Sequence, residues 1–438
     1  MVSRPKASTR NPGTLGEWVK LVRGTTYKGY LVGKPGPVLL GLSSISPNGG
    51  FRRTNFETYG GDCAKNIVVN SGDIYVSLKD VTQSADLLGA VARLPKDISS
   101  GRLTQDTVRL IAIRKDTPWD YIYWLLRTPQ YRNFCSRYAT GTTTLGLGRD
   151  DFLGYPVPDF TDQRRFIVQA LEAIERRHEE LSFQSETLES LARTIFKSWF
   201  VDFDPVRAKA EGREPDGMDA DTVALFPSEF VESSLGSLPI SYFISDLQSE
   251  CAISMGQSPP GSTYNECVEG LPFFQGRADF KTMFPKRRIY CSEPSRFASA
   301  GDVLLSVRAP VGDINIALDD CAIGRGVASI RHKSGSTAYS WCLLKSLKAS
   351  FDSFDTEGTV FGAINGKDLK ALKTVVPPAA IVESFASLFD PVFSKLKLNE
   401  LEARTLADLR DTLLPRLISG KLRVPEVEAM LTGGCREV

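Results

Sequence analysis

Two stretches of the chain place residues on a seam that advances alternately by four and three positions. The first runs through Ile167, Leu171, Ile174, His178, Leu181, Ser185, Leu188, Ala192, Ile195 and Trp199. The second runs through Phe385, Phe389, Val392, Leu396, Asn399, Ala403, Leu406, Arg410, Leu413 and Leu417. Eight of ten positions are apolar in each. An apolar repeat near 3.5 residues makes a narrow stripe that another helix must cover, so each stretch predicts a long coiled-coil helix. The simplest partner for one is the other, packed antiparallel, with His178 and Asn399 as polar interruptions that fix register. Pro158, Thr161 and Asp162 supply a start for the first helix, and Pro377-Pro378 precede the second. Asp204-Pro205 lies just past the first and Gly420 ends the second. Pro391 falls inside the second pattern and predicts a kink or a later start.

Outside these stretches the pattern is shorter-ranged. Ile67–Val69, Ile74–Leu78, Val108–Ile113, Val303–Val307, Ile314–Leu318 and Val327–Ile330 read as strands, being short, β-branched and bounded by Gly, Asp and Pro. Asp120–Tyr138 and Ala338–Phe354 read as helices from aromatic and leucine residues three and four apart. The two halves also echo each other. Ser71-Gly72-Asp73-Ile74-Tyr75-Val76-Ser77 matches Ala300-Gly301-Asp302-Val303-Leu304-Leu305-Ser306 at an offset of 229, and Gly141-Thr142 matches Gly358-Thr359 at 217. The difference places about ten extra residues in the first half, around Val81–Arg102. The predicted fold is α+β: two α/β domains in tandem repeat, separated and joined by two long antiparallel helices with a pseudo-two-fold. Its parts are a first domain at 1–160, a helix at 161–203, a Pro/Gly-rich linker at 204–239, a second domain at 240–378, a second helix at 379–420 and a tail at 421–438.

Composition narrows the function. The chain has 438 residues and a net charge of +1, so any nucleic-acid surface must be local. Eight cysteines are scattered without a Cys-x-x-Cys pair, and His178 and His332 are the two histidines. That spacing does not suit zinc and suits a reducing cytosol. Neither a signal peptide nor a run of about 20 apolar residues is visible, so a cytoplasmic protein without membrane contact is expected. The glycines of Gly141–Gly148 end in Arg149-Asp150, not in the Gly-Lys-Ser/Thr of a phosphate-binding loop. An amino-methylation tetrapeptide, a glycine-rich cofactor loop after a strand and a nuclease cluster are likewise not found in the sequence.

Leu188–Val206, with its Phe196-Lys197-Ser198-Trp199-Phe200-Val201-Asp202-Phe203-Asp204-Pro205 run, resembles the central conserved region of type I restriction–modification specificity subunits. Leu409–Leu422 is similar to their C-terminal region. Gly301–Gly312 looks like a recurring element of their target recognition domains, as does the Ala139–Thr143 loop before a Pro-Val-Pro. The first domain departs from the pattern, since Leu78-Lys79-Asp80-Val81-Thr82 lacks the Arg-x-Pro-x-Gly of the second. The resemblance implies a non-catalytic subunit that reads a bipartite, asymmetric double-stranded DNA target. It implies docking of two adenine methyltransferase subunits and of motor-nuclease subunits. S-adenosylmethionine, ATP and Mg2+ would then bind those partners, with no cofactor in this chain. A coiled-coil adaptor that binds only protein is the alternative. A helix of about 40 residues is roughly 60 Å long, enough to span half-sites about 34 Å apart.

Candidate DNA contacts follow from residue type in the predicted loops: Arg and Lys for phosphates or guanine, Gln for adenine, Thr for either. The first domain offers Tyr27, Lys28, Arg52, Arg53, Lys79, Thr142 and Thr143. The second offers Gln257, Gln275, Arg277, Lys281, Arg308, Arg325 and Thr359. Trp199 and Phe200 suit a core and, alternatively, a partner-docking surface.

Overall fold

The computed structural model describes residues 13–53, 56–82, 84–234, 236–308, 310–356 and 362–419. Thr359, Gly420 and the 421–438 tail lie outside the described residues. The chain forms two compact units, one holding the residues up to His178 with those from Thr405 onward, the other holding Glu179–Arg404. The two apolar seams form helices at Asp162–Phe200 and Ala379–Ser419.

In the first unit, Val19–Arg23, Thr107–Ala112, Ile74–Ser77 and Val91–Arg93 form an antiparallel sheet in that order. A second sheet sets Val38–Leu40 parallel to Ser100–Leu103, which pairs antiparallel with Val68–Asn70. The core joins Leu21, Ile74, Val76, Tyr121 and Trp124 to Ile167, Leu171 and Ile174 of one long helix and to Leu413, Leu414 and Leu417 of the other. Arg164 ties the two helices here by donating to the carbonyls of Leu417, at 3.0 Å, and Ile418, at 2.5 Å.

In the second unit, Cys251–Met255, Val327–His332, Val303–Val307 and Val311–Ile316 form the corresponding four-stranded antiparallel sheet. Ala192, Phe196, Trp199 and Phe200 pack there with Phe385, Phe389, Phe393 and Leu396. Asn399, buried on the seam, donates to Ser185 Oγ at 3.2 Å, while its Oδ1 has no partner among the described residues. A buried amide with one matched contact costs stability in any other alignment, which is how it selects one.

The Gly-Asp element of the sequence is a turn device in both units. Gly72 and Gly301 have φ of 83° and 86°, the left-handed region that favours glycine. Asp73 accepts from the Asn70 amide at 2.7 Å and pairs with Arg109 at 2.7 Å. Asp302 accepts from the Ser299 amide at 2.8 Å and pairs with Arg331 at 2.5 Å.

Several elements differ from the sequence reading. The helix expected over Asp120–Tyr138 is two, Trp119–Leu125 and Pro129–Arg137, because Thr128 caps a new start and Pro129 takes its first position. The second expected helix likewise splits into Thr337–Ser346 and Lys348–Thr356. The 204–239 segment is not an unstructured linker. It forms helices at Asp204–Ala210 and Ala220–Leu225 and a hairpin of Phe230–Ser233 with Gly236–Pro239. Val206, Phe226 and Leu238 bury it in the core of the second unit. The second long helix does not restart at Pro391, since both Pro391 and Ser387, whose carbonyl loses its donor, face solvent. His178, expected on the buried seam, is exposed.

His332 ends a central strand of the second unit with its ring beside Tyr339. Its Nδ1 accepts from the Ser334 amide at 3.1 Å, leaving Nε2 to carry the proton, with Glu250 3.9 Å away and Lys333 bound to Glu250. Burial is the largest cause that lowers its pKa from 6.5 to about 4, against the pull of Glu250. The unfolded chain therefore takes up a proton before the folded one. Stability should fall as pH drops from 6.5 toward 4. His332→Gln should flatten that part of the Tm–pH curve in scanning calorimetry; an unchanged slope would show that His332 does not titrate in this window.

Candidate nucleic-acid interface

Each four-stranded sheet ends in a close backbone crossing. In the first unit, Val19–Arg23 runs out beside Thr107–Ala112, and the Gly24 amide donates to the Thr107 carbonyl at 3.1 Å. The Thr107 amide closes the underlying turn onto the Thr104 carbonyl at 3.3 Å. A Cβ on Gly24 would lie 2.1 Å from that carbonyl oxygen, so only glycine passes. In the second unit the Gly256 amide donates to Val327 at 2.9 Å, and Val327 closes its turn onto Gly324 at 2.9 Å. A Cβ on Gly256 would lie 2.2 Å from the Gly324 oxygen. The same crossing thus recurs over Thr104-Gln105-Asp106-Thr107 and over Gly324-Arg325-Gly326-Val327.

Sequence-selected residues collect around both crossings. In the first unit, Tyr27 and Lys28 are exposed three and four residues beyond Gly24. Lys79 pairs with Asp106 on the crossing turn at 3.1 Å. The Lys79–Asp80 strand pairs with Leu145–Leu147, whose hairpin with Ala139–Thr140 exposes Thr142 and Thr143 at its tip. Gly141 makes that tip possible at φ 103°, where a Cβ would strike the Thr144 carbonyl.

In the second unit the Gln257 amide donates to Ile323 at 3.0 Å and the Arg325 amide meets Ser258 Oγ at 3.4 Å. The Gln275 carbonyl sits against Gly326, and Val307, next to Arg308, donates to the Gly326 carbonyl at 3.0 Å. Gln257, Gln275, Arg308 and Arg325 are all exposed there. Guanidinium, amide, ammonium and hydroxyl groups displayed together can donate to phosphates and base edges.

The remaining candidates lie elsewhere. Arg53 is bidentate on Asp97, at 2.7 and 3.0 Å. Arg52 is exposed beside it, its amide on the Ser44 carbonyl. Arg277 pairs with Asp313 at 2.7 Å, and the Lys281 amide donates to Asn315. These last two line a surface cavity of about 310 Å³. The docking reading of Trp199 and Phe200 is corrected: both are buried against Phe385, with Phe226 edge-on to Trp199 and Tyr339 edge-on to Phe200.

Arg102 gives no sequence signal, yet its buried guanidinium shapes the first crossing. It donates to the Thr25 carbonyl at 3.3 Å, Thr25 Oγ1 at 3.0 Å and the Thr26 carbonyl at 2.8 Å. It also lies 4.7 Å from the Tyr59 ring centre and 5.9 Å from that of Tyr27. Burial pushes the Cys251 and Cys321 thiols up to about 12, so neither is a nucleophile near neutrality. Among the described residues no group of three or more His, Cys, Asp or Glu could hold a metal ion. No described helix is long and apolar enough to cross a membrane.

No family model matches the chain. A protein of Methanocaldococcus jannaschii, provisionally named the type I restriction enzyme MjaX specificity subunit, is 27% identical over 312 residues, covering 69% of this chain and 68% of that protein. The type I restriction enzyme MjaIX specificity subunit of the same organism is 25% identical over 321 residues, covering 70% of each. The chain is a relative of the type I restriction specificity subunits. Its fold also matches the crystal structure of a type I restriction-modification system S subunit from M. genitalium, with a TM-score of 0.58 at 14% identity, covering 94% of this chain and 98% of that one.

Three substitutions probe the crossings of this specificity-subunit relative. Gly256→Ala should cost about 1–3 kcal/mol in denaturant unfolding, because its Cβ meets backbone. Gly276→Ala, with nothing within 4 Å of its Cβ, should cost under about 1 kcal/mol; equal costs would mean that the crossing is not tight. Arg102→Gln should accelerate tryptic cleavage after Lys28 about tenfold while far-ultraviolet dichroism holds, since loss of the buried hydrogen bonds frees the loop. An unchanged cleavage rate would show that something else holds it.

Proposed function

We propose that the chain is the DNA-reading, non-catalytic subunit of a type I restriction–modification complex. The observation that carries this reading is the repeated crossing with unlike side chains. The backbone device is shared, but Tyr27, Lys28, Lys79, Thr142 and Thr143 stand at one and Gln257, Gln275, Arg308 and Arg325 at the other. Two tandem target recognition domains built this way read two different half-sites, so the target is bipartite and asymmetric. The first half-site meets a hydroxyl- and aromatic-rich surface, the second an amide- and guanidinium-rich one.

The two long helices, paired as an antiparallel coiled coil and aligned by Asn399, set the spacing between half-sites. Two adenine methyltransferase subunits dock on this scaffold and motor-nuclease subunits join them in the cytoplasm. S-adenosylmethionine, ATP and Mg2+ bind those partners. Apolar side chains facing solvent on the helices, such as Phe183, Leu191 and Leu398, replace Trp199 and Phe200 as docking candidates.

Methylome sequencing of the host should find a bipartite motif with an adenine modified on each strand. Exchanging residues 1–160 for those of another specificity subunit should change one half of the motif and leave the other. A change in both halves would overturn independent reading. Failure of the chain to retain duplex DNA by sequence would favour the adaptor alternative.

A further inference from the structure

The cavity of the second unit has a charge pattern that base reading does not use. Its volume is about 310 Å³, and its walls carry Arg277, Lys281, Lys345 and Lys348 against one carboxylate, Asp313. Asp313 pairs with Arg277, and Lys348 with Asp352. Lys281 and Lys345 have no carboxylate within ion-pair distance among the described residues. Lys345 stands in the last turn of Thr337–Ser346, half-buried, with its ammonium 4.7 Å from the Trp341 ring centre. Burial holds it below the usual lysine range despite Glu189. Lys348 opens the next helix, the end where a cation is disfavoured unless an anion is near. In the first unit the comparable helix break offers Arg127, whose guanidinium is already held by Glu175 at 2.8 Å and Tyr123 at 2.9 Å.

We propose that this cavity is a phosphate site, occupied by a backbone phosphate of the bound DNA and gripped by Lys281 and Lys345, with Arg277 and Lys348 at its rim. The assignment of DNA as occupant rests on the DNA-reading function above. Arg277 is two residues from Gln275, which limits their Cα separation to about 8 Å. The phosphate therefore lies beside the bases that Gln275 and Arg325 read. The contact carries no sequence information and adds affinity to one half-site only.

Fluorescence anisotropy of target and scrambled duplexes, titrated with the full chain at several salt concentrations, tests this. The Lys345→Gln/Lys348→Gln variant should bind both duplexes several-fold more weakly, keep its preference between them, and lower the salt slope by about one to two. Lys373→Gln, outside the cavity, should change neither. Unchanged affinity and slope in the double variant would overturn the site while leaving the DNA-reading function standing. Loss of preference between the duplexes would also overturn it, since the cavity would then be reading bases. If the unsubstituted chain binds neither duplex, the DNA-reading function fails and DNA is not the occupant. A phosphorus-31 titration with inorganic phosphate separates the sources: binding that the double variant abolishes, with the DNA slope unchanged, assigns the cavity to free phosphate and contradicts the proposal.

Discussion

The proposed reading surface depends on two points where backbone passes backbone with no room for a side chain. At Gly24 and Gly256 a Cβ would come within 2.1 and 2.2 Å of a carbonyl oxygen. Because only hydrogen fits, the end of the first sheet strand is pressed onto the turn that opens the second. That contact turns the following residues outward together with the turn itself. Separate loops would scatter their donors, whereas the crossing fixes them on a rigid sheet end, which recognition of base edges demands.

Shared backbone and unlike side chains divide stability from specificity. The Gly-Asp turns, the serines at Ser77 and Ser306 and the crossings are bound to their own backbones, so they serve the fold. Ser77 Oγ donates to the Lys79 carbonyl and Ser306 Oγ to those of Arg308 and Pro310. Lys79 and Arg308 thus occupy like positions, each held by a serine two residues earlier with its long side chain outward. Lysine offers a compact charge and arginine a planar fork, so equal placement presents unlike donors. The cationic cavity adds a further inequality, since the first unit fills its comparable place with a satisfied Arg127.

The long helices were the most legible part of the sequence, because a 3.5-residue period sustained over ten positions has one structural solution. Even so, His178, on the predicted seam, is exposed rather than buried. The aromatic spacing of Asp120–Tyr138 ran straight across Thr128-Pro129, hiding a helix end that the Thr-Pro pair itself announces. The 204–239 segment misled for a different reason: its few anchors, Val206, Phe226 and Leu238, are diluted among charged and turn residues. At the candidate site, residue type alone picked Gln257 and Arg325, which are far apart in sequence. It could not tell them from Arg53, whose charge is neutralised by Asp97. Arg102 was invisible because a buried guanidinium in a short strand leaves no pattern. Lys345 and Lys348 carry no mark in the sequence, and only the cavity that both line brings them together with the Val311–Ile316 strand.

The central claim is that the two crossings face two separate segments of one duplex. Photocrosslinking reports this directly, with a crosslinking residue placed at Gln105 in one variant and at Arg325 in another, each bound to the same target duplex. The account predicts one crosslinked segment per variant, different in base sequence and a fixed number of base pairs apart. Crosslinks from both positions to the same bases would contradict it.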